Sequence, residues 1–216
     1  MLFIALSLIA LTVNLFLPGL KGRRRVAGTF SRWFFGIAGI PLRIEGIDRL
    51  PDAPCVVVAN HASYIDGIVA AAALPPNFAF VIKREMVRVP LAGLLLRRLG
   101  SAFVERFDRH KGGSDARRVW KLAATGQSLV FFPEGTFDST PQVGKFLGGA
   151  FATAQRASMP VVAVAVHGTR KVLPAGTLMV RRKPIRFEVL GVMAPDGARQ
   201  RSREMIAAAV GEPLAP

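Results

Sequence analysis

Cys55-Val56-Val57-Val58-Ala59-Asn60-His61-Ala62-Ser63-Tyr64-Ile65-Asp66, running on into Gly67-Ile68-Val69-Ala70-Ala71-Ala72-Ala73, is the stretch whose reading decides the fold. The run from Cys55 to Ala59 is apolar and rich in valine, the pattern of a strand covered on both faces. Gly67 to Ala73 reads as a short helix ended by Leu74-Pro75-Pro76, since proline lacks an N–H and disfavours helical backbone in the residue before it. The junction between them carries His61 and Asp66. Regular structure keeps these two apart: five residues of helix leave them roughly 140° apart, and five of strand put them on opposite faces. A bend from strand into helix brings them together. Asp66 then sits in the first helical turn, where the helix dipole favours a carboxylate. It accepts the proton of one imidazole nitrogen and leaves the other as a base. A helix-capping aspartate beside a loop histidine is the bland alternative, and the motif alone does not exclude it.

Outward from this unit the pattern repeats. Apolar runs at 55–59, 78–82, 101–104, 128–132, 160–166 and 184–190 read as strands. Helical stretches fit between them at 65–74, 86–99, 114–125 and 148–157, with a last one at 199–210. Ser114 reads as the N-cap of the third of these, and Gly100 as the stop of the second. Alternation of strand and helix predicts an α/β fold with a largely parallel central sheet flanked by helices. The strand at 128–132 ends in Phe132-Pro133-Glu134-Gly135-Thr136, with Pro133 stopping it. Glutamate and glycine at a strand's end can place a carboxylate and backbone N–H groups beside a ligand, although Pro-Glu-Gly also makes an ordinary turn.

Together these segments resemble the glycerolipid acyltransferase family typified by the 1-acylglycerol-3-phosphate (lysophosphatidate) acyltransferases. Asn60 to Asp66 matches the family's first block, Asn-His plus four residues plus Asp. Gly100-Ser101-Ala102-Phe103-Val104-Glu105-Arg106, with Lys83 and Pro90 upstream, looks like the second. Phe132 to Thr136 matches the third, and Met159-Pro160-Val161-Val162-Ala163-Val164-Ala165-Val166 resembles the fourth. Four blocks in order across about residues 40 to 190 are far more specific than any one alone. Two positions depart. Phe137 stands where the family usually has arginine or another polar residue, and Lys145-Phe146-Leu147-Gly148-Gly149 replaces a more basic segment.

The resemblance implies transfer of a fatty acyl group from a thioester, acyl-CoA or acyl carrier protein, to the hydroxyl of a lysolipid. It implies His61 as general base oriented by Asp66, with Asn60, Lys83, Arg106, Glu134, Gly135 and Thr136 at the substrate. Glu134 would position the acceptor's hydroxyls, and Arg106 with Lys83 would meet its negative headgroup. The acceptor implied is 1-acylglycerol-3-phosphate, giving phosphatidic acid. The two departures make a lysolipid with another headgroup, such as a lyso amino-acid lipid, the alternative, and a catalytically inactive lipid-binding relative the third. The chemistry suits the residues. An alcohol needs a base during attack, whereas a thiol of pKa about 8.5 leaves as thiolate without a general acid. Backbone N–H groups near the helix start or at Gly135 are candidates for the oxyanion.

Other reactive residues fit no site. Cys55, the single cysteine, lies in an apolar strand and reads as a buried structural thiol. His110 falls in a polar, glycine-containing stretch that reads as a loop, and His167 follows a strand. Three scattered histidines and one cysteine offer no metal-ligand spacing, so neither metal nor other cofactor is expected beyond the thioester co-substrate.

Lys and Arg number 29 against 14 Asp and Glu, a formal charge of +15. That balance calls for a polyanionic partner. No nucleic-acid-binding motif is present, and the N-terminus points to lipid. Residues 1–17 carry no charged side chain and are mostly Leu, Ile, Phe, Ala and Val. No basic residue opens them, against a cleaved signal. Lys21-Gly22-Arg23-Arg24-Arg25 follows, a cluster suited to anionic headgroups and the cytoplasmic face. Val26 to Leu42 then carries Trp33, Phe34 and Phe35 and reads as an interfacial or core helix. The expectation is residues 1–42 as a membrane-seated helix or helical hairpin and residues 43–216 as one catalytic domain, at the cytoplasmic membrane and facing the cytoplasm.

Overall fold

Unbroken apolar strands must be covered on both sides, and the sheet is built that way. The structure, a computed structural model, describes residues 2–105, 109–137, 139–177 and 179–215, with side chains outside that description at 2–5, 7 and 109–114. The described strands are β1 (Leu42–Glu45), β2 (Val56–Ala59), β3 (Phe78–Lys83), β4 (Ala102–Val104), β5 (Ser128–Phe131), β6 (Val161–His167) and β7 (Ile185–Met193). They form one sheet in the order β1-β7-β6-β2-β5-β3-β4. Strands β6, β2, β5, β3 and β4 are parallel. At one edge β7 runs antiparallel to β6, and β1 runs parallel to β7. Every residue of β2 is buried, as a central parallel strand requires.

The helices are α1 (Leu2–Phe16), α2 (Leu20–Ile37), α3 (Asp66–Ala73), α4 (Ala92–Arg98), α5 (Arg109–Ala124), α6 (Gly149–Arg156), α7 (Thr169–Val172) and α8 (Ala198–Val210). On one face Val57, Ala59, Val162 and Val164 pack with Phe34 and Phe35 of α2 and Val69 of α3. On the other, Val56, Val58, Val161 and Ala163 pack with Val119 of α5, Phe151 of α6 and Ile206 of α8. The even and odd residues of a strand thus feed two separate cores.

Several elements differ from the sequence reading. The stretch 86–99 splits into a 3-10 turn, Arg84–Arg88, and α4, because Pro90 cannot continue a helix. Gly100 does end α4, at φ +68°, where a side chain is strained. Helix α5 begins at Arg109, so the backbone of His110, Gly112 and Gly113 is helical and Ser114 lies inside the helix instead of capping it. Strand β1 escapes the reading because Leu-Arg-Ile-Glu has no apolar run; its ladder partner is β7, more than a hundred residues away.

Helices α1 and α2 pack on each other, and α2 packs on α3. Helix α1 is 15 residues, about 22 Å against a bilayer core of about 30 Å. No described helix is long and apolar enough to cross a membrane. The basic cluster is also used differently from the expectation. Arg23 Nε donates to the Leu17 carbonyl at 2.9 Å, and Arg24 Nε to the Leu99 carbonyl at 2.9 Å. Arg32 donates to the Ala72 carbonyl at 2.7 Å, and Arg98 returns the favour to Asn14 and Leu15 at 2.8 Å. Carbonyls at helix ends lack intrahelical donors and carry partial negative charge, so guanidinium groups suit them. Burial pulls the Arg24 guanidinium down to about 10, so it stays charged at neutral pH. Lys21 and Arg25 remain exposed.

Candidate active site

Two adjacent strand ends build the site. Val58 of β2 is level with Phe131 of β5, so the segments that leave them, beginning at Asn60 and Phe132, emerge side by side at the carboxyl edge of the sheet. Such edges are where parallel sheets present ligand-binding loops. The chain bends after Ala59, and Asp66 opens α3. His61 Nδ1 lies 2.9 Å from Asp66 Oδ2. The same oxygen accepts the N–H groups of Ala62 at 2.7 Å and Ser63 at 2.8 Å. Asp66 is fully buried. These three donors offset the cost of burying its charge. An ionised carboxylate only accepts, so a neutral imidazole bonded to it carries its proton on Nδ1 and its lone pair on Nε2.

Glu134 does something the sequence does not announce. Its Oε1 accepts the backbone N–H of His61 at 2.7 Å, and its Oε2 accepts that of Gly144 at 2.7 Å. The carboxylate therefore ties the β2 exit, at the backbone of His61, to the loop before α6. Burial pushes the Glu134 carboxyl above its usual range, outweighing the two N–H donors. Two glycines make the clamp possible. Gly135 turns the chain at φ +81°, and a Cβ at Gly144 would come 2.9 Å from Glu134 Oε2. The 143–146 segment is held from its far side by α8, where Arg203 Nε donates to the Gly144 carbonyl at 2.8 Å and Arg199 Nε to that of Phe146 at 2.6 Å.

Aromatic rings enclose the imidazole. Phe132 lies with its centroid 4.8 Å from that of His61 and tilted by 30°. Phe137 meets His61 edge to face at 4.6 Å, and Tyr64 meets Phe137 edge to face at 4.8 Å. The His61 side chain is left 19% exposed. Phe137 stands out in the sequence only as a departure from a pattern; its contact with His61 comes from a fold of the 132–137 turn that no spacing rule specifies.

The other expected site residues are placed as follows. Asn60 is buried, and its amide bonds the backbone of Val166 in β6, Nδ2 to O at 2.9 Å and N to Oδ1 at 2.8 Å. That amide holds the β2 exit to β6. Lys83 closes β3 at the same sheet edge and pairs with Glu85 at 3.1 Å. Arg106 lies outside the described residues. Gly135 is buried and Thr136 exposed in the turn beyond β5. Ahead of the helix start the N–H groups of residues 61–63 bond carboxylates, and that of Gly135 bonds the Phe132 carbonyl at 3.1 Å.

Next to the second block, Asp115 accepts from Arg84 and from the Glu105 N–H at 2.8 Å. Burial raises the Asp115 carboxyl, but these donors and the Arg84 and Arg118 charges outweigh it and hold it below the usual range. Cys55 is buried, and burial pushes its thiol up to about 11, against a nucleophile's role. His167 is engaged with Glu188 and Arg186 at 3.2 Å. Burial, with the Arg186 charge, lowers its pKa. The side chain of His110 lies outside the described residues.

A profile of the family described as Acyltransferase matches residues 41–167, the span that holds His61, Asp66 and Glu134. The chain belongs to this family, in the glycerolipid branch typified by the lysophosphatidate acyltransferases. It is 34% identical over 136 residues to the chloroplastic 1-acyl-sn-glycerol-3-phosphate acyltransferase BAT2 of Brassica napus, covering 62% of this chain and 39% of that protein. It is 32% identical over 150 residues to the lyso-ornithine lipid O-acyltransferase of Pseudomonas aeruginosa, covering 67% and 55%. The chain thus spans well under two thirds of either relative. The crystal structure of the 1-acyl-sn-glycerophosphate acyltransferase PlsC from Thermotoga maritima has the same fold, with a TM-score of 0.78 at 22% identity over 94% of this chain and 86% of that one.

Proposed function

We propose that the protein moves a fatty acyl group from a thioester, on coenzyme A or acyl carrier protein, to the hydroxyl of a lysolipid. The observation that carries this reading is the His61–Asp66 pair, 2.9 Å apart, in a chain of this family. His61 Nε2 takes the hydroxyl proton as the lipid oxygen attacks the thioester carbonyl carbon. The resulting tetrahedral intermediate collapses with cleavage of the C–S bond, and the thiolate leaves with the electron pair. Asp66 holds the tautomer and stabilises the imidazolium that forms. Glu134 fixes the backbone from which His61 projects.

The first acceptor is 1-acylglycerol-3-phosphate, as the names of several relatives suggest, and the family resemblance assigns Lys83 and Arg106 to its phosphate. A lyso amino-acid lipid is the second reading. It is favoured by Phe137, which sets a ring instead of a basic group against His61, and by the lyso-ornithine lipid relatives. Exposed Leu8, Ile9, Val13, Leu15 and Phe16 of α1, with Trp33 and Ile37 of α2, form an apolar surface that supports seating of this helix pair in the membrane. A salt wash then leaves the protein on the membrane, whereas a purely electrostatic binder is released.

The test is radiolabelled acyl transfer by membranes carrying this protein, with coenzyme A and acyl carrier protein donors and a panel of lysolipids. Product from lysophosphatidate supports the first acceptor, and product only from another lysolipid supports the second. No product from any pair overturns the reading and leaves a lipid-binding protein.

A further inference from the structure

A base that activates a hydroxyl activates water equally well, and water is the commoner nucleophile at any surface site. The arrangement of rings at His61 bears on this. Phe132 and Phe137 both contact the imidazole, and Tyr64, itself 63% exposed, contacts Phe137 from the solvent side. Phe137 and Tyr64 come from different loops, one beyond β5 and one beyond β2, and their contact joins the loops over the histidine. Neither ring has a part in the proton transfer described above. Phe137, the ring that touches His61, is apolar where a polar side chain would bring water with it, and its edge-to-face pair with the Tyr64 ring is a cohesive wall, since such contacts are favourable beyond their burial.

We propose that Phe137, braced by Tyr64, is a selectivity residue that keeps water from His61, so that the thioester is transferred to lipid and not hydrolysed. This rests on the transfer reading above. With the screen removed, water takes the lipid's place: its oxygen bonds to the thioester carbonyl carbon and its proton passes to His61 Nε2. The C–S bond then breaks, the thiolate departs with the electron pair, and a free fatty acid is released.

The experiment uses the full chain and oleoyl-coenzyme A, following thiol release without acceptor and then the ratio of free oleate to esterified oleate with a lysolipid present. Phe137→Ala is expected to raise acceptor-free thiol release and the oleate-to-ester ratio by about tenfold, the effect of about 1.4 kcal/mol on one barrier relative to the other. Phe137→Leu, still bulky and apolar, keeps the ratio near wild type, and Tyr64→Ala, at a residue 63% exposed, raises it by a smaller factor. Adding His61→Ala to Phe137→Ala abolishes the gain. The proposal is overturned if the ratio is unchanged in both Phe137→Ala and Tyr64→Ala, or if the hydrolysis survives loss of His61. Wild-type ester formation that depends on His61, beside an unchanged ratio, sinks this inference and leaves the transfer reading standing. Absence of wild-type ester with every acceptor sinks both.

Discussion

The carboxyl edge of the sheet and the N-terminal helix pair solve one problem with opposite charges. At the edge, Asp66 and Glu134 accept backbone N–H groups of residues 61, 62, 63 and 144. At the helix pair, Arg23, Arg24, Arg32 and Arg98 donate to the backbone carbonyls of residues 17, 99, 72, 14 and 15. Acids hold donors in one region and bases hold acceptors in the other. The difference lies in reach. Asp66 gathers its three partners from within five residues, so the motif carries its own geometry. Arg24 and Arg98 find theirs more than seventy residues away. One region fixes the His61–Asp66 pair, and the other docks a pair of helices.

If that division is right, damage at the edge destroys chemistry and damage at the helix pair destroys stability. The largest effect is expected from His61→Ala, which lowers acyl transfer by roughly 10²–10⁴-fold, the usual worth of a general base, far beyond its effect on melting, since the Ala62 and Ser63 N–H groups still bond Asp66. Glu134→Gln comes next. The amide can accept from one N–H but presents an NH₂ to the other, leaving a buried donor unmatched at a cost of about 1–3 kcal/mol. It loses activity and stability together, read by turnover and by denaturant unfolding.

Glu134 also predicts an asymmetry with pH. Burial raises its folded-state pKa, so its charge costs stability at neutral pH. That cost fades as pH falls toward the ordinary glutamate value of about 4.3. Activity that needs the carboxylate therefore declines on the acid side while this group's contribution to stability improves. A pH series of turnover and melting temperature on the same preparation checks the divergence.

Arg24→Met tests the other region. It removes the donor from the Leu99 carbonyl and is expected to lower stability by about 1–3 kcal/mol, with little change in turnover per folded molecule. A large fall in turnover at full stability would break the comparison. The smallest effect is Asp115→Asn. The Asp115 pKa is depressed in the folded protein, so its stabilisation is present above the ordinary aspartate value and lost only as pH falls through the depressed one. The variant melts lower than wild type at pH 7, and the gap closes only in strong acid.

The same difference in reach decides what the sequence makes legible. Val56 to Ala59 and Val161 to Val166 have to be buried strands whatever surrounds them, so the alternation of strand and helix is readable along the chain. The His61–Asp66 contact is readable too, because one bend suffices for it. Strand β1 is not, since Leu42 to Glu45 becomes a strand only through its pairing with β7. The helical backbone at Gly112 and Gly113 contradicts local propensity, and nothing in the described side chains accounts for it. Asn60 and Glu134 are legible as residue types that belong at the site, but not as clamps. Their partners, Val166 and Gly144, are backbone atoms, and backbone atoms leave no mark in a sequence. Arg23 and Arg24 mislead for the same reason, because a basic cluster looks alike whether it faces headgroups or carbonyls.

The central claim is that His61 and Asp66 act as one proton-accepting unit. A single-turnover comparison of wild type, His61→Ala, Asp66→Asn and the double variant tests it most directly, because groups that act together do not lose activity additively. Without the histidine the aspartate has nothing to orient, so the double variant should transfer acyl groups no more slowly than His61→Ala alone. Losses that multiply, with the double variant slower than His61→Ala by the full factor seen for Asp66→Asn, would contradict the pairing and separate the two residues into independent roles.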